Sequence, residues 1–173
     1  DVYEGDWVDN KQHGKGEMTI TDKNGFKVIY EGYFKDDLMH GKGIIIYDDG
    51  IYEGDWENGI SDGKGKITLY NGDVYEGDFK DNHKHGKGKL TYANGNIYEG
   101  DFKYGIRDGF GVCFFKKKIH SFPDGSKYEG YWKDDKIHTE GTQFGKLIWP
   151  DYNSSYRDKS TPAGLRSFEG KWE

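Results

Sequence analysis

Cysteine, proline and methionine are nearly missing from these 173 residues, at one, three and two copies. With Cys113 alone, no disulfide framework and no thiolate zinc site can form within the chain, and a single thiol fits a reducing, cytoplasmic setting. No apolar run approaches membrane-spanning length, and no signal-peptide pattern opens the chain. A basic surplus is absent too. The net charge is -6 and the pI about 5.5, which argues against nucleic acid as the main partner. Aliphatic residues are sparse, and a mean hydropathy of -1.01 would by itself suggest disorder. Against that stand 17% aromatic residues, evenly spread, and 27 glycines. Together they predict many short strands around a thin core.

The aromatics recur in order. Aromatic-Glu-Gly-x-aromatic occurs seven times, beginning at Tyr3, Tyr30, Tyr52, Tyr75, Tyr98, Tyr128 and Phe168. The intervals are 27, 22, 23, 23, 30 and 40 residues, so the basic unit is about 23. Gly-x-Gly follows eleven residues after the first aromatic in five units, at Gly14, Gly41, Gly63, Gly86 and Gly109. A turn dipeptide then closes each unit: Asn24-Gly25, Asp49-Gly50, Asn71-Gly72, Asn94-Gly95 and, after extra residues, Asp124-Gly125.

Each unit reads as a β-hairpin. In the fourth, Tyr75, Gly77 and Phe79 alternate with Glu76 and Asp78, and Asp81 to Lys84 is expected to form a four-residue turn. That register sets Phe79 opposite Gly86, Gly77 opposite Gly88, Tyr75 opposite Leu90, Asp78 opposite Lys87 and Glu76 opposite Lys89. In the third unit it sets Trp56 over Gly63, Asp55 by Lys64, Glu53 by Lys66 and Tyr52 by Ile67. Glycines then make room for rings on one side, while the other becomes a carboxylate–lysine ladder worth about 0.2–1 kcal/mol per pair.

The run Y-E-G-x-W/F, then H/D-G-x-G, then N/D-G, resembles the MORN repeat over nearly the whole chain. The resemblance implies an all-β fold: an elongated, twisted, single-layer antiparallel sheet of consecutive hairpins. About 13 strands at roughly 4.8 Å each would span about 60 Å. The array is expected over 1–149, a loop over 150–167, and a further repeat or capping strand over 168–173. The chain starts and stops inside the pattern and reads as a piece of a longer protein. The family includes axonemal radial-spoke components, cytoskeletal scaffolds, membrane-junction proteins, and regions of phosphatidylinositol phosphate kinases and of a lysine methyltransferase. It therefore implies a non-catalytic scaffold in a cytoskeletal or ciliary assembly, with an anionic-lipid module or the regulatory region of a larger enzyme as alternatives.

The candidate partner surface is the aromatic row of Tyr30, Phe34, Tyr52, Trp56, Tyr75, Phe79, Tyr98 and Phe102, open to an extended segment or amphipathic helix. The alternative is that these rings pack only on one another and on the glycines. A second patch is Phe110, Val112 and Phe114, where unit five loses its polar outer residues, as unit two does at Ile44 and Ile46. Either the chain's own insertion or tail covers that patch, or a partner does. Lys116, Lys117 and Lys118, beside Phe114, Phe115 and Phe122, form a weak candidate contact for anionic lipid. Open sheet ends could pair with another copy or another protein.

No catalytic set stands out, and neither a metal nor a cofactor is expected. His13, His40, His85 and His138 recur in phase with Asp62 and Asp108, just before each second strand, which suits a turn role. Sites about 10 Å apart along the sheet cannot share one metal ion. The repeated glutamates belong to the charge ladder, and Cys113 should face the aromatic side opposite Tyr98.

Overall fold

Residues two apart along each motif are large rings or glycine, so an extended chain sends all of them to one face. The computed structural model describes residues 1–21, 23–116, 124–138, 145–149 and 166–170. Among these residues it has fourteen strands and no helix. They are β1 (Val2–Val8), β2 (Lys11–Thr21), β3 (Lys27–Lys35), β4 (Leu38–Tyr47), β5 (Gly50–Glu57), β6 (Ile60–Leu69) and β7 (Val74–Lys80). Then follow β8 (His83–Thr91), β9 (Ile97–Lys103), β10 (Ile106–Phe115), β11 (Ser126–Lys133), β12 (Lys136–Ile137), β13 (Gly145–Trp149) and β14 (Arg166–Gly170). Thirteen lie side by side in chain order, each antiparallel to the next, and the two-residue β12 pairs β11 off that path. The fold is one open antiparallel sheet of successive hairpins.

The hairpin turns differ from expectation. They have two residues, not four: Asp9-Asn10, Asp36-Asp37, Asn58-Gly59, Asp81-Asn82, Tyr104-Gly105 and Asp134-Asp135. The non-glycine members all have positive φ, as do Gly59 and Gly105, which is the signature of type I′ turns matched to strand twist. Asp and Asn tolerate that region. The turn's second residue also tethers the preceding hairpin: Gln12 N–H donates to Asp37 Oδ1 at 2.8 Å, Ser61 N–H to Asn82 Oδ1 at 2.7 Å, and Arg107 N–H to Asp135 Oδ1 at 2.9 Å.

A shorter turn leaves surplus residues in the second strand, and a bulge absorbs them. Tyr75 faces Leu90, Glu76 faces Lys89 and Gly77 faces Gly88, as expected. Beyond that point Asp78 faces His85 and Phe79 faces Lys84, not Lys87 and Gly86. Likewise Trp56 faces Ser61 rather than Gly63. His13, His40 and His85 therefore lie inside the second strands, not before them, while His138 directly follows β12. Gly86 has φ +58°, which glycine adopts at no steric cost, and the first glycine of each Gly-x-Gly shares this role. Across the junction to the next hairpin, Gly86 meets Phe102 and Lys87 meets Asp101.

The core is a zipper of rings. Trp7, Tyr3, Phe34, Tyr30, Trp56, Tyr52, Phe79, Tyr75, Phe102, Tyr98, Trp132 and Tyr128 form an unbroken chain of edge-to-face contacts, with centroids 4.9–5.5 Å apart. Each such contact contributes about 0.5–1.5 kcal/mol beyond its buried area. The tyrosine rings lie along their own strands. Their hydroxyls donate to the carbonyl three residues on, as in Tyr52 to Asp55 at 2.9 Å and Tyr75 to Asp78 at 2.8 Å, beside the bulge that interrupts the ladder. Burial pushes the Tyr30 and Tyr128 hydroxyls up to about 12.

Candidate functional site

The eight rings expected to receive a partner are themselves the core. Tyr30, Phe34, Tyr52, Trp56, Tyr75, Phe79, Tyr98 and Phe102 are all at most 6% exposed. Each ring is enclosed by its neighbours in the zipper, so the expectation of an open aromatic surface is corrected. Methionine, aliphatic and tyrosine side chains such as Met18, Ile45, Ile67, Leu90 and Tyr92 pack against them. Two cations add to the cover. Lys84 Nζ lies 5.5 Å from the Tyr75 ring centre, and burial pulls its pKa down. Arg107 stacks 4.2 Å above Trp132 and is held by Asp135 at 2.9 Å. Cys113 is buried opposite Tyr98, and burial pushes its thiol up to about 11. That suits a core residue rather than a nucleophile.

The opposite face is accessible, and register orders it into three rows that cross the strands. The first row holds Lys15, Tyr33, Lys42, Asp55, Lys64, Asp78, Lys87, Asp101, Phe110 and Tyr131. Here the ion pairs join neighbouring hairpins instead of closing within one. Lys42 meets Asp55 at 2.6 Å, Lys87 meets Asp101 at 2.7 Å, and Lys64 pairs with Asp78. The same aspartates accept backbone N–H groups from their own hairpin's bulge: Lys64 to Asp55 at 2.8 Å and Lys87 to Asp78 at 3.0 Å. Burial works against the Asp55 and Asp78 carboxylates. The lysine hydrogen bond, the backbone hydrogen bond and the lysine charge outweigh it and hold both below the ordinary carboxylate value. Where tyrosine replaces this aspartate, a ring contact takes the place of the ion pair. Lys15 Nζ lies 5.5 Å from the Tyr33 ring centre, and Phe110 packs edge-to-face on Tyr131 at 5.4 Å.

The middle row runs Glu4, Glu17, Glu31, Ile44, Glu53, Lys66, Glu76, Lys89, Glu99, Val112, Glu129 and Lys146. Lys89 pairs with Glu99 at 2.8 Å. Glu4, Glu17 and Glu31 stand directly opposite one another, and among the described residues none has a lysine or arginine within 4 Å. Like charges in direct opposition cost stability.

The third row was not anticipated. Val2, Thr19, Ile29, Ile46, Ile51, Thr68, Val74, Thr91, Ile97, Phe114, Lys127 and Ile148 follow one another across the sheet. Its signal was in the sequence: Val or Ile precedes the motif tyrosine at residues 2, 29, 51, 74 and 97. Between the first two rows lies an unbroken line of paired glycines, among them Gly16, Gly32, Gly43, Gly54, Gly65 and Gly77. They floor a groove of about 1160 Å³ walled by Glu17, Glu31, Glu53, Lys42 and Lys64.

Two windows without charge interrupt this face. One is Tyr33, Ile44 and Ile46, and the other is Phe110, Val112 and Phe114. Ile44, Ile46, Phe110 and Phe114 are 37–40% exposed, so the described residues leave the expected second patch uncovered. Lys116 is exposed, and its N–H donates to Asn96 Oδ1 at 2.9 Å. Lys117 and Lys118 lie outside the described residues; of the loop expected over 150–167, residues 150–165 do too, while Arg166 and Ser167 belong to β14.

The family model of the MORN repeat matches the chain six times, over residues 3–25, 30–51, 52–74, 75–97, 98–118 and 128–143. No curated protein matches it.

Proposed function

Since the chain belongs to the MORN-repeat family, we propose that it is a non-catalytic module that binds a segment of another protein on its charged, three-row face. One observation carries this reading. The rings are closed into a core, while the opposite face keeps large apolar side chains in the open at Ile44, Ile46, Phe110 and Phe114. Such side chains on an exposed face invite a partner. The groove between the charged rows supplies shape, and the rows supply charge specificity.

The test is capture from native extract by the full-length protein, compared with an Ile44→Lys/Val112→Lys variant. Lys66 and Lys89 already hold the equivalent positions in other repeats, so the sheet accepts this change. The expected result is loss of specific partners with unchanged circular dichroism and Tm. An unchanged set of partners overturns the assignment to this face.

On family grounds alone, the proposed setting is a cytoskeletal or axonemal assembly. A tagged full-length protein that is diffuse and fully extracted by detergent argues against it.

A further inference from the structure

The two neutral windows are not independent features. Ile44 on β4 and Val112 on β10 lie in the same row, six strands apart, or about 29 Å along the sheet at roughly 4.8 Å per strand. The β-branched row connects them without a break through Ile46, Ile51, Val74 and Ile97 to Phe114. The three rows together are about 13 Å wide, from two-residue steps of roughly 3.3 Å. An α-helix with its side chains is about 10–12 Å wide and rises 1.5 Å per residue, so about 19 residues separate two anchors on it.

Charge fixes the rest of the occupant. Between the windows, glutamate and lysine alternate at Glu53, Lys66, Glu76, Lys89 and Glu99. Beyond the first window the row is acidic only, at Glu31, Glu17 and Glu4. A cationic neighbour would relieve that repulsion.

We propose that the face binds one amphipathic helix of a partner protein, lying across the strands with apolar side chains in both windows and a lysine- or arginine-rich end over Glu31, Glu17 and Glu4. This rests on the charged face being the binding face. A helix of this kind uses the uncharged β-branched row as its track and the acidic end as its polarity signal. An anionic membrane does not match, because its charge has the same sign as that end.

The probe is a labelled synthetic helical peptide of about 30 residues, with leucines at two points about 19 residues apart and lysines in its first ten positions. Its affinity for the full chain is read by fluorescence anisotropy. Ile44→Lys and Val112→Lys should each weaken binding about tenfold, and the pair about a hundredfold, because one ligand spans both. Glu17→Lys/Glu31→Lys should weaken it about tenfold, and should not weaken a peptide whose lysines are replaced by glutamate. Absence of saturable binding, or binding indifferent to one window, overturns the proposal. Co-sedimentation with phosphatidylserine vesicles that Ile44→Lys/Val112→Lys abolishes would also overturn it. If the peptide fails while capture from extract still depends on Ile44 and Val112, the helix is wrong and the face stands. If both fail, the reading of the face falls too.

Discussion

Gly88 and Tyr75 occupy each other's space. A Cβ on Gly88 would run into the Tyr75 ring and hydroxyl, while the Gly88 backbone itself is unstrained. Gly88→Ala should therefore act by overpacking alone and cost about 1–3 kcal/mol. A Tm drop of several degrees is expected, and an unchanged Tm would show that the ring can move aside. Asp55 and Asp78 sit on the other face and act through charge. Both carboxyls are held below their ordinary value of 3.8, with burial opposing the lysine and backbone hydrogen bonds that prevail. Below 3.8 the unfolded chain takes up these protons before the folded sheet does. Their contribution is complete above that value and disappears as the pH falls through the lower folded values. Urea midpoints should fall as the pH drops below about 4, and an Asp55→Asn/Asp78→Asn variant should show a shallower fall. Equal pH slopes for the two proteins would remove these carboxylates as the cause.

At the level of the hairpin, the ring pair is the structural unit. Trp56 touches Tyr30 and Tyr52, and Phe79 touches Tyr52 and Tyr75, so each second aromatic bridges two hairpins. Trp56→Ala or Phe79→Ala should cost about 3–5 kcal/mol. The strand signal in circular dichroism should be lost at a lower temperature, instead of surviving as it would if these rings only met a partner. Why the sequence left open whether the rings form a surface or a core is physical. Alternation identified which residues share a face, and Tyr75, Gly77 and Phe79 do share one. It carried no information on how closely rings from successive hairpins would close over each other. The far half of the register was legible because Gly77 faces Gly88 in a plain ladder. The near half was not, since the type I′ turn at Asp81-Asn82 and the bulge at Gly86 shift it together. The lysine partners of Asp55 and Asp78 were assigned within hairpins for the same reason, and they lie across junctions. The third row was legible but overlooked, because Val74 and Ile97 sit just outside the motif that drew attention.

Across the sheet, substantial contacts among the described residues join only adjacent strands, so no described element braces two distant ones. Stability in such an array is a sum of unit and neighbour terms, so a strand with fewer ring contacts is held less firmly. β1 of this chain is such a strand. Trp7 holds the same motif position as Phe34, Trp56 and Phe79, yet it is 56% exposed where they are at most 6%. Its ring meets Tyr3 alone in the zipper, while Phe34 meets both Tyr3 and Tyr30. The interior strands β5 to β8 have partners on both edges, and the rings of β5 and β7 have zipper contacts on both sides. Local opening should therefore be easier at β1 than in the middle. Hydrogen exchange of the chain should show β1 amides exchanging tenfold or more faster than those of β5 to β8, with β2 to β4 in between. A variant that weakens the centre, such as Phe79→Ala, should let the two halves exchange at different rates. Uniform protection from β1 to β11 would instead mean that the sheet opens all at once, and that the zipper transmits stability further than its nearest-neighbour contacts do.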